Sequence, residues 1–539
     1  MWHHPFTFVT LFIALSPNLS FLRRLPGLVR MLVAWFRSAW GAWLDGDDST
    51  HWPALLVSFL VLCLASFVML WVGDQFNAQG AAVTRYLARV QAPLTAGFYP
   101  TDSRQRITVI TYDDEFLQRI HGAWPISYAE HAVWLERLVA DPEARPKAIF
   151  LDITFGQERD DVGVEELRDA LCHIHSQGIP VFLAALASRV DGVLYVRPGL
   201  QAKTREGIPC FTLVGVRHVV DPVDGMTWSY PLTSYAAAGA WHSGPAPALR
   251  MPNYRSAAMA IAQDAAGIDL GEEREPMSLI WGARSQPPSH SSQGPGACQP
   301  VSSVYRQLSI DLWRQVVGAR SSSPICPFHS TLSMAQIGDM DEAELAPYLT
   351  GTYLMIGAAV DGQNDFAMSP VQGRLPGVFV HAMALDNFLV YQDSYKRHSS
   401  WSLPPSSDLF VAGLLAMAAV FGVHIAFKRT VHRAASRFLR THCSQRACWF
   451  WWDTRTGAPL WQRVLWLPLR LLLWALRLSF QIIAAMLLIV VLQKFFRIGM
   501  LPVVDLIGMT VLAEGLGYQD KIRTFFALDH ATSRDRSEP

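Results

Sequence analysis

A chain of 539 residues with 51% hydrophobic and only 17% charged residues is too apolar for an average soluble protein and too polar for a bundle of membrane spans throughout. Its 45 Lys and Arg balance 45 Asp and Glu, a formal net charge of +0, but that balance hides a segregation of charge along the chain.

Residues 1–51 open with an apolar run, Phe6 to Leu15, that has neither a basic stretch before it nor a small-residue cleavage site after it, so it does not read as a signal peptide. The following FLRRLPGLVRMLVAWFRSAWGAWL mixes Arg with Leu, Phe and Trp at helical spacing apart from Pro26, which predicts an amphipathic cytoplasmic segment lying on the inner leaflet and makes membrane lipid an expected partner. Residues 52–72, WPALLVSFLVLCLASFVMLWV, carry no charge and are long enough for the ~30 Å hydrocarbon core at ~1.5 Å per residue, so they predict a first transmembrane helix. From 73 to 408 the composition is that of a folded domain. Apolar runs then resume at 409–427, 465–492 and 498–516, three further expected spans. Arg23, Arg24, Arg30 and Arg37 precede the first span, and eight Lys and Arg lie between Lys428 and Arg463 with Asp453 as their one acidic neighbour. The positive-inside rule puts both stretches in the cytoplasm and the domain in the periplasm; Lys494 and Arg497 in the last hairpin are a small violation. The loop 428–464 also carries Trp449, Phe450, Trp451 and Trp452 among its charges, which beside a bilayer reads as interfacial anchoring and not as nucleic-acid binding. The tail 517–539 is expected in the cytoplasm and is too short for a catalytic domain.

Within 73–408 the pattern alternates strand and helix. Ile107 to Tyr112 is short and β-branched; Ser127 and Glu130 form a capping box ahead of Ala132, Leu135 and Leu138 on one helical face. Lys147 to Asp152 reads as a second strand, Val164 to Gln177 as a helix ended by Gly178, and Pro180 to Leu186 as a third strand. Ser256 to Ala266 and Val378 to Tyr391 read as helices, Met277 to Trp281 and Tyr353 to Gly357 as strands. The Pro, Ser and Gly-rich stretch Ala283 to Ser303 reads as a surface insertion. The alternation predicts an α/β domain with a mostly parallel sheet flanked by helices.

Three blocks in order, ITVITYDDEFLQRIHGAWPISYAEHAVWLERL, KAIFLDITF and YLMIGAAVDGQNDFAMSPVQGRLPGVFVHAMALDNFL, resemble the opening, middle and closing signatures of the CHASE type two domain. The resemblance covers roughly Ile107 to Leu389 and implies a bacterial extracytoplasmic sensory domain, held by membrane spans and usually joined to a kinase or cyclase. Here Ile126, Ser127 and Tyr128 stand where the family carries a basic residue, Ser369-Pro370 stands where Thr-Pro is usual, and no catalytic domain follows the last span.

Ligands of parallel sheets favour the carboxyl ends of strands. Asp113 and Asp114 follow the first strand, Asp152 ends the second, and Asp361 and Asp365 follow YLMIG. Each alone reads as a helix cap or turn pin; if the strands are neighbours, the five instead form a cluster for a cation or a basic ligand. Trp124-Pro125 reads as a packing anchor, and His131 and His381 as hydrogen-bonded structural residues. Cys172, His173 and His175 do not share one helical face and so make a poor metal site. Cys172, Cys210, Cys298 and Cys326 fall in an oxidising compartment if the topology holds; of three possible pairings, Cys298 with Cys326 would restrain the insertion. His424, Gln481 and Asp505 lie inside expected spans and must face protein or water. No nucleophile elbow, Walker loop, dinucleotide glycine motif, paired zinc cysteines or HExxH occurs, so no enzyme activity, cofactor or metal is expected. The expected function is an inner-membrane sensory protein that passes a periplasmic cue to a separate signalling protein or to a second copy. The alternative is a docking subunit of an envelope or secretion assembly, and a third reading is a periplasmic hydrolase with an unrecognised site.

Overall fold

The computed structural model describes residues 56–61, 63, 85–86, 88–89, 92–93, 95–156, 163–187, 193–204, 206–233, 254–271, 275–283, 326–362, 365–397, 418 and 422. The chain divides into two units, one of Met1–Gln75, Gly413–Ala485 and Leu506–Pro539, the other of Phe76–Ala412 and Met486–Asp505. Among the described residues no helix is long and apolar enough to cross a membrane. The four expected spans and the residues His424, Gln481 and Asp505 lie outside the described residues, apart from a few helical positions in the first two spans.

The larger unit is built on a mostly parallel sheet. Its strands are β1 (Ile107–Asp113), β2 (Ala148–Asp152), β3 (Val181–Ala187), β4 (Leu194–Tyr195), β5 (Thr212–Gly215), β8 (Ser330–Ser333) and β9 (Tyr353–Ala359). The order is β4-β3-β2-β9-β1-β8, with β5 also pairing β3 and only β4 running antiparallel. Two short strands, β6 (Ser229–Tyr230) and β7 (Met277–Ser278), pair antiparallel, as do β10 (Phe366–Ser369) and β11 (Gly373–Pro376). The helices are α1 (Asp114–Arg119), α2 (Tyr128–Arg137), α3 (Val164–Ser176), α4 (Ala257–Asp264), α5 (Met334–Asp339), α6 (Glu342–Leu349) and α7 (Val378–Tyr391).

The period-two alternation of strands sends successive side chains to opposite faces, and each face has its own core. Ile110, Tyr112, Ile149, Leu151, Leu354 and Ile356 pack under α1, α2, α3, α5 and α6. Ile107, Val109, Phe150, Phe182 and Met355 pack under α4 and α7. Every residue of α7 from Val378 to Leu389 is buried, as befits a helix that is apolar all round apart from His381, Asp386 and Asn387. The close fit of α7 depends on Gly357 of β9, where an added Cβ would lie 2.7 Å from the Val378 Cβ. The expected α/β architecture and the Ser127–Glu130 capping box are both present.

Helices α1, α5 and α6, strands β4, β5, β6 and β8, and the β10–β11 hairpin were not anticipated from sequence. Met277–Ser278 is shorter than the expected strand and lies off the main sheet, paired with β6. Short elements of two to eight residues carry too few apolar positions for a period to register.

Cys172 of α3 and Cys210, 38 residues apart, form a disulfide. Cys326 is also disulfide-bonded, and Cys298 lies outside the described residues. Closing a loop of this size contributes roughly 4 kcal/mol on the chain-entropy account. Non-reducing peptide mapping of protein taken from cells should recover the Cys172–Cys210 linked peptide, and replacing both by serine should lower stability by roughly 2–4 kcal/mol. Two free thiols would mean that the domain does not fold in an oxidising compartment.

Candidate functional site

The sheet order settles which strand ends are neighbours. β9 lies between β1 and β2, with Asp113 opposite Ala359 and Asp152 opposite Gly357. The five aspartates therefore share the carboxyl edge of three adjacent strands, but they do different things there. Asp113 caps α1, its Oδ1 accepting from the Phe116 N–H at 2.9 Å. Asp114 Oδ2 accepts from the Asp361 N–H at 3.1 Å and pins the loop after β9 to the start of α1. Asp113 and Asp114 thus do cap and loop work with their carboxylates, and Asp361 enters through its backbone N–H.

Asp152 and Asp365 are different. The Asp152 side chain is 7% exposed, and its Oδ2 is buried without a hydrogen-bond partner. Asp365 lies beside the first turn of α7: its carbonyl accepts from the Gly377 N–H at 2.9 Å, and any Cβ on Gly377 would collide with the Asp365 carboxylate. Glycine at 377 is thus what admits a carboxylate to the N-terminus of a 14-residue helix, where the helix dipole favours negative charge. One turn further along, His381 puts its Nε2 3.7 Å from Asp152 Oδ2 and its Nδ1 2.8 Å from Tyr230 Oη. Tyr230 Oη in turn accepts from the Ala258 N–H at 3.2 Å. The imidazole is held edge-on by Phe150 and Tyr230, at 5.4 and 5.5 Å between ring centroids.

Burial governs the ionisation of this group. It raises the Asp152 carboxyl well above the usual carboxylate range, with the charge of Asp365 adding to the effect, and it raises Asp365 as well. His381 is lowered to about 3, first by burial and then by His218, against an opposing hydrogen bond to the Val216 backbone; burial lowers His218 too. The proton of the Asp152–His381 contact therefore belongs on the carboxyl and not on the imidazole.

A second buried polar group lies further along α7. Asp386, wholly buried, accepts from Tyr99 Oη at 2.6 Å and Ser103 Oγ at 2.9 Å on one oxygen, and from His329 Nε2 at 3.1 Å on the other. Its neighbour Asn387 donates to the Ile280 carbonyl at 2.9 Å and accepts from the Ile280 N–H at 3.2 Å. The partners of Asp386 just precede β1 and β8, whereas Asp152 ends β2. α7 therefore runs from the carboxyl edge of the sheet to its amino edge.

Tyr230, His218 and Asp386 were not singled out from sequence, and His381 was read only as a structural residue. The signal was present in VFVHAMALDNFL, where His, Asp and Asn interrupt an otherwise apolar helix and so have to be buried with partners. Cys172, His173 and His175 are dispersed: Cys172 is in a disulfide, and His173 Nδ1 lies 2.9 Å from Glu136. His131 is buried 3.4 Å from Tyr112 Oη, and Trp124 packs at 5.8 Å from the Tyr112 ring. Among the described residues no three His, Cys, Asp or Glu side chains are grouped to hold a metal ion.

No curated protein and no solved structure gives a significant match to the chain. A family model described as "CHASE2 domain" matches residues 58–423. That is more than half of the sequence, and the chain belongs to the CHASE2 domain family.

Proposed function

We propose that this CHASE2 protein is an inner-membrane sensory subunit, which receives a cue outside the cytoplasm and hands it to a separate protein or a second copy through its apolar segments. CHASE2 domains are extracytoplasmic and sensory, not catalytic, and this membership is the observation that carries the reading. The Cys172–Cys210 disulfide is in keeping with an oxidising compartment, and the clustering of Lys and Arg on either side of the domain sequence supports a cytoplasmic location for those flanks. The route across the bilayer is assigned to His424, Gln481 and Asp505, polar groups within apolar segments. An ionised carboxylate in hydrocarbon costs at least ~2.5 kcal/mol, and a partner helix that hydrogen-bonds it removes part of that cost.

The test is a pull-down of the tagged full chain from membranes. Asp505→Leu should abolish recovery of the co-purifying protein, or of a differently tagged second copy, while the Cys172–Cys210 linkage remains intact as the mark of a folded domain. Undiminished association with the linkage intact would reject this route.

A further inference from the structure

We propose that Asp152 and Asp365 form a proton-binding site, in which the two carboxylates near the first turn of α7 together take up one proton and thereby set how tightly that turn closes on the sheet. The inference rests on the sensory reading only for its purpose, since it names acidity outside the cytoplasm as the cue; the site itself stands on geometry.

Three observations carry it. Asp152 Oδ2 is buried with no donor to satisfy it, so the ionised form is left uncompensated, whereas a protonated carboxyl is tolerated there. The absence of a side chain at Gly377 admits the Asp365 carboxylate to the start of α7, one turn before His381, whose Nε2 lies 3.7 Å from Asp152 Oδ2. Its charge bears directly on Asp152, so the two cannot both ionise without mutual repulsion in a poorly solvated site. Third, among the described residues no Lys or Arg side chain forms an ion pair with either carboxylate. The titratable groups about it are His381 from α7 and Tyr230 from β6, with His218, from the segment after β5, acting on His381. Burial lowers both histidines and so disfavours their charged forms. Asp113 and Asp114 on the same edge are engaged in the cap and loop contacts already described, the latter with the Asp361 backbone N–H. A proton is the ligand this arrangement accepts without a cavity or a metal geometry.

Binding forms one O–H bond and takes the pair from two negative charges to one. With the proton in place, Asp365 keeps its charge at the N-terminus of α7, where the helix dipole stabilises it, and Asp152 is neutral against His381. Loss of the proton leaves two buried charges, which draw water in by opening the first turn of α7. The sign follows from linkage. Carboxyls whose folded-state values are raised contribute stability that is complete at low pH, and that stability is lost as pH rises through those values. The closed turn is the acid form and the open turn the alkaline one.

Isotope-edited infrared spectroscopy of the full chain in lipid nanodiscs, with ¹³C-labelled aspartate, reads the titration directly. A protonated-carboxyl band should persist at least one pH unit above the ordinary aspartate value of about 3.9 and vanish in Asp152→Asn. Hydrogen exchange across 377–382 should rise at least tenfold as that band disappears, and Asp152→Asn, a fixed mimic of the protonated form, should hold exchange slow at every pH. Titration of every carboxyl at or below about 4 overturns the proposal, and this wild-type measurement does so even if the variant fails to fold. A high-pH carboxyl band with unchanged exchange also overturns it, because the proton would then control nothing. If band and exchange behave as expected but recovery of the co-purifying protein is the same at acid and neutral pH, the site stands and the sensory reading falls.

Discussion

Replacing Asp386 with alanine should destabilise the domain by about 4 kcal/mol, a large fraction of the 5–15 kcal/mol that holds an ordinary domain folded. The carboxylate is wholly buried and takes three hydrogen bonds, from Tyr99, Ser103 and His329. Removing it takes the shared acceptor away from three buried donors. Hydrogen bonds to a charged acceptor are worth about 1.5–3 kcal/mol each; bonds in one network are not additive, so the total stays at about 4 kcal/mol, well below their sum. Tyr99→Phe removes one donor, keeps the ring against Phe328 at 5.4 Å, and should cost no more than about 2 kcal/mol. Pulse proteolysis of the full chain in urea measures both. An Asp386→Ala loss below about 1 kcal/mol would show that the network is not energetically joined.

Acid should loosen the domain through His381, and His381→Phe should remove that sensitivity. The imidazole drops from 6.5 to about 3 on folding, mainly through burial. A depressed folded value means that its contribution is fully present above pH 6.5 and is lost as pH falls towards 3. The limiting slope is about 1.4 kcal/mol per pH unit, or roughly 2 kcal/mol lost by pH 5. Asp152 and Asp365 act with the opposite sign, since their raised values favour the folded state in acid. Wild type therefore shows a partly cancelled acid limb, and the difference between wild type and variant isolates the histidine. Phenylalanine preserves an aromatic ring against Phe150 and Tyr230, and the lost Tyr230 hydrogen bond appears as an offset that does not vary with pH. If the two stability curves run parallel from pH 7 to pH 4, the acid loss belongs to another group.

Which parts of this were readable in the sequence depends on how local their causes are. The box at Ser127 and Glu130 is written within four residues, and it is found where the spacing put it. Two further boxes, at Ser333 with Gln336 and Asp341 with Glu344, were equally visible, but the helices they start are six and eight residues long and show little periodicity. YLMIG is legible as a strand; its place between β1 and β2 is not, because pairing depends on partners far away in sequence. The aspartates were legible as residues at strand ends, and only the sheet order and the position of α7 separate Asp113 and Asp114, which cap and pin, from Asp152 beside the buried His381 and Asp365 at the start of α7. Tyr230 and His381 meet across 151 positions, a separation at which no local pattern carries information.

The place of β9 also fixes the order in which the domain can come into being. Its residues pair with β2 from Ala148↔Tyr353 onward and with β1 from Ile107↔Tyr353, so both partners wait more than two hundred residues for the strand that joins them. Until Tyr353–Ala359 emerges, ITVITYD and AIFLD each present an unpaired apolar edge on the side meant for β9, and such edges are templates for aggregation. Closing so long a loop is slow. A nascent chain stalled before residue 353 should therefore remain a client of holding chaperones, and fragments ending there should be insoluble, however well their own helices are capped.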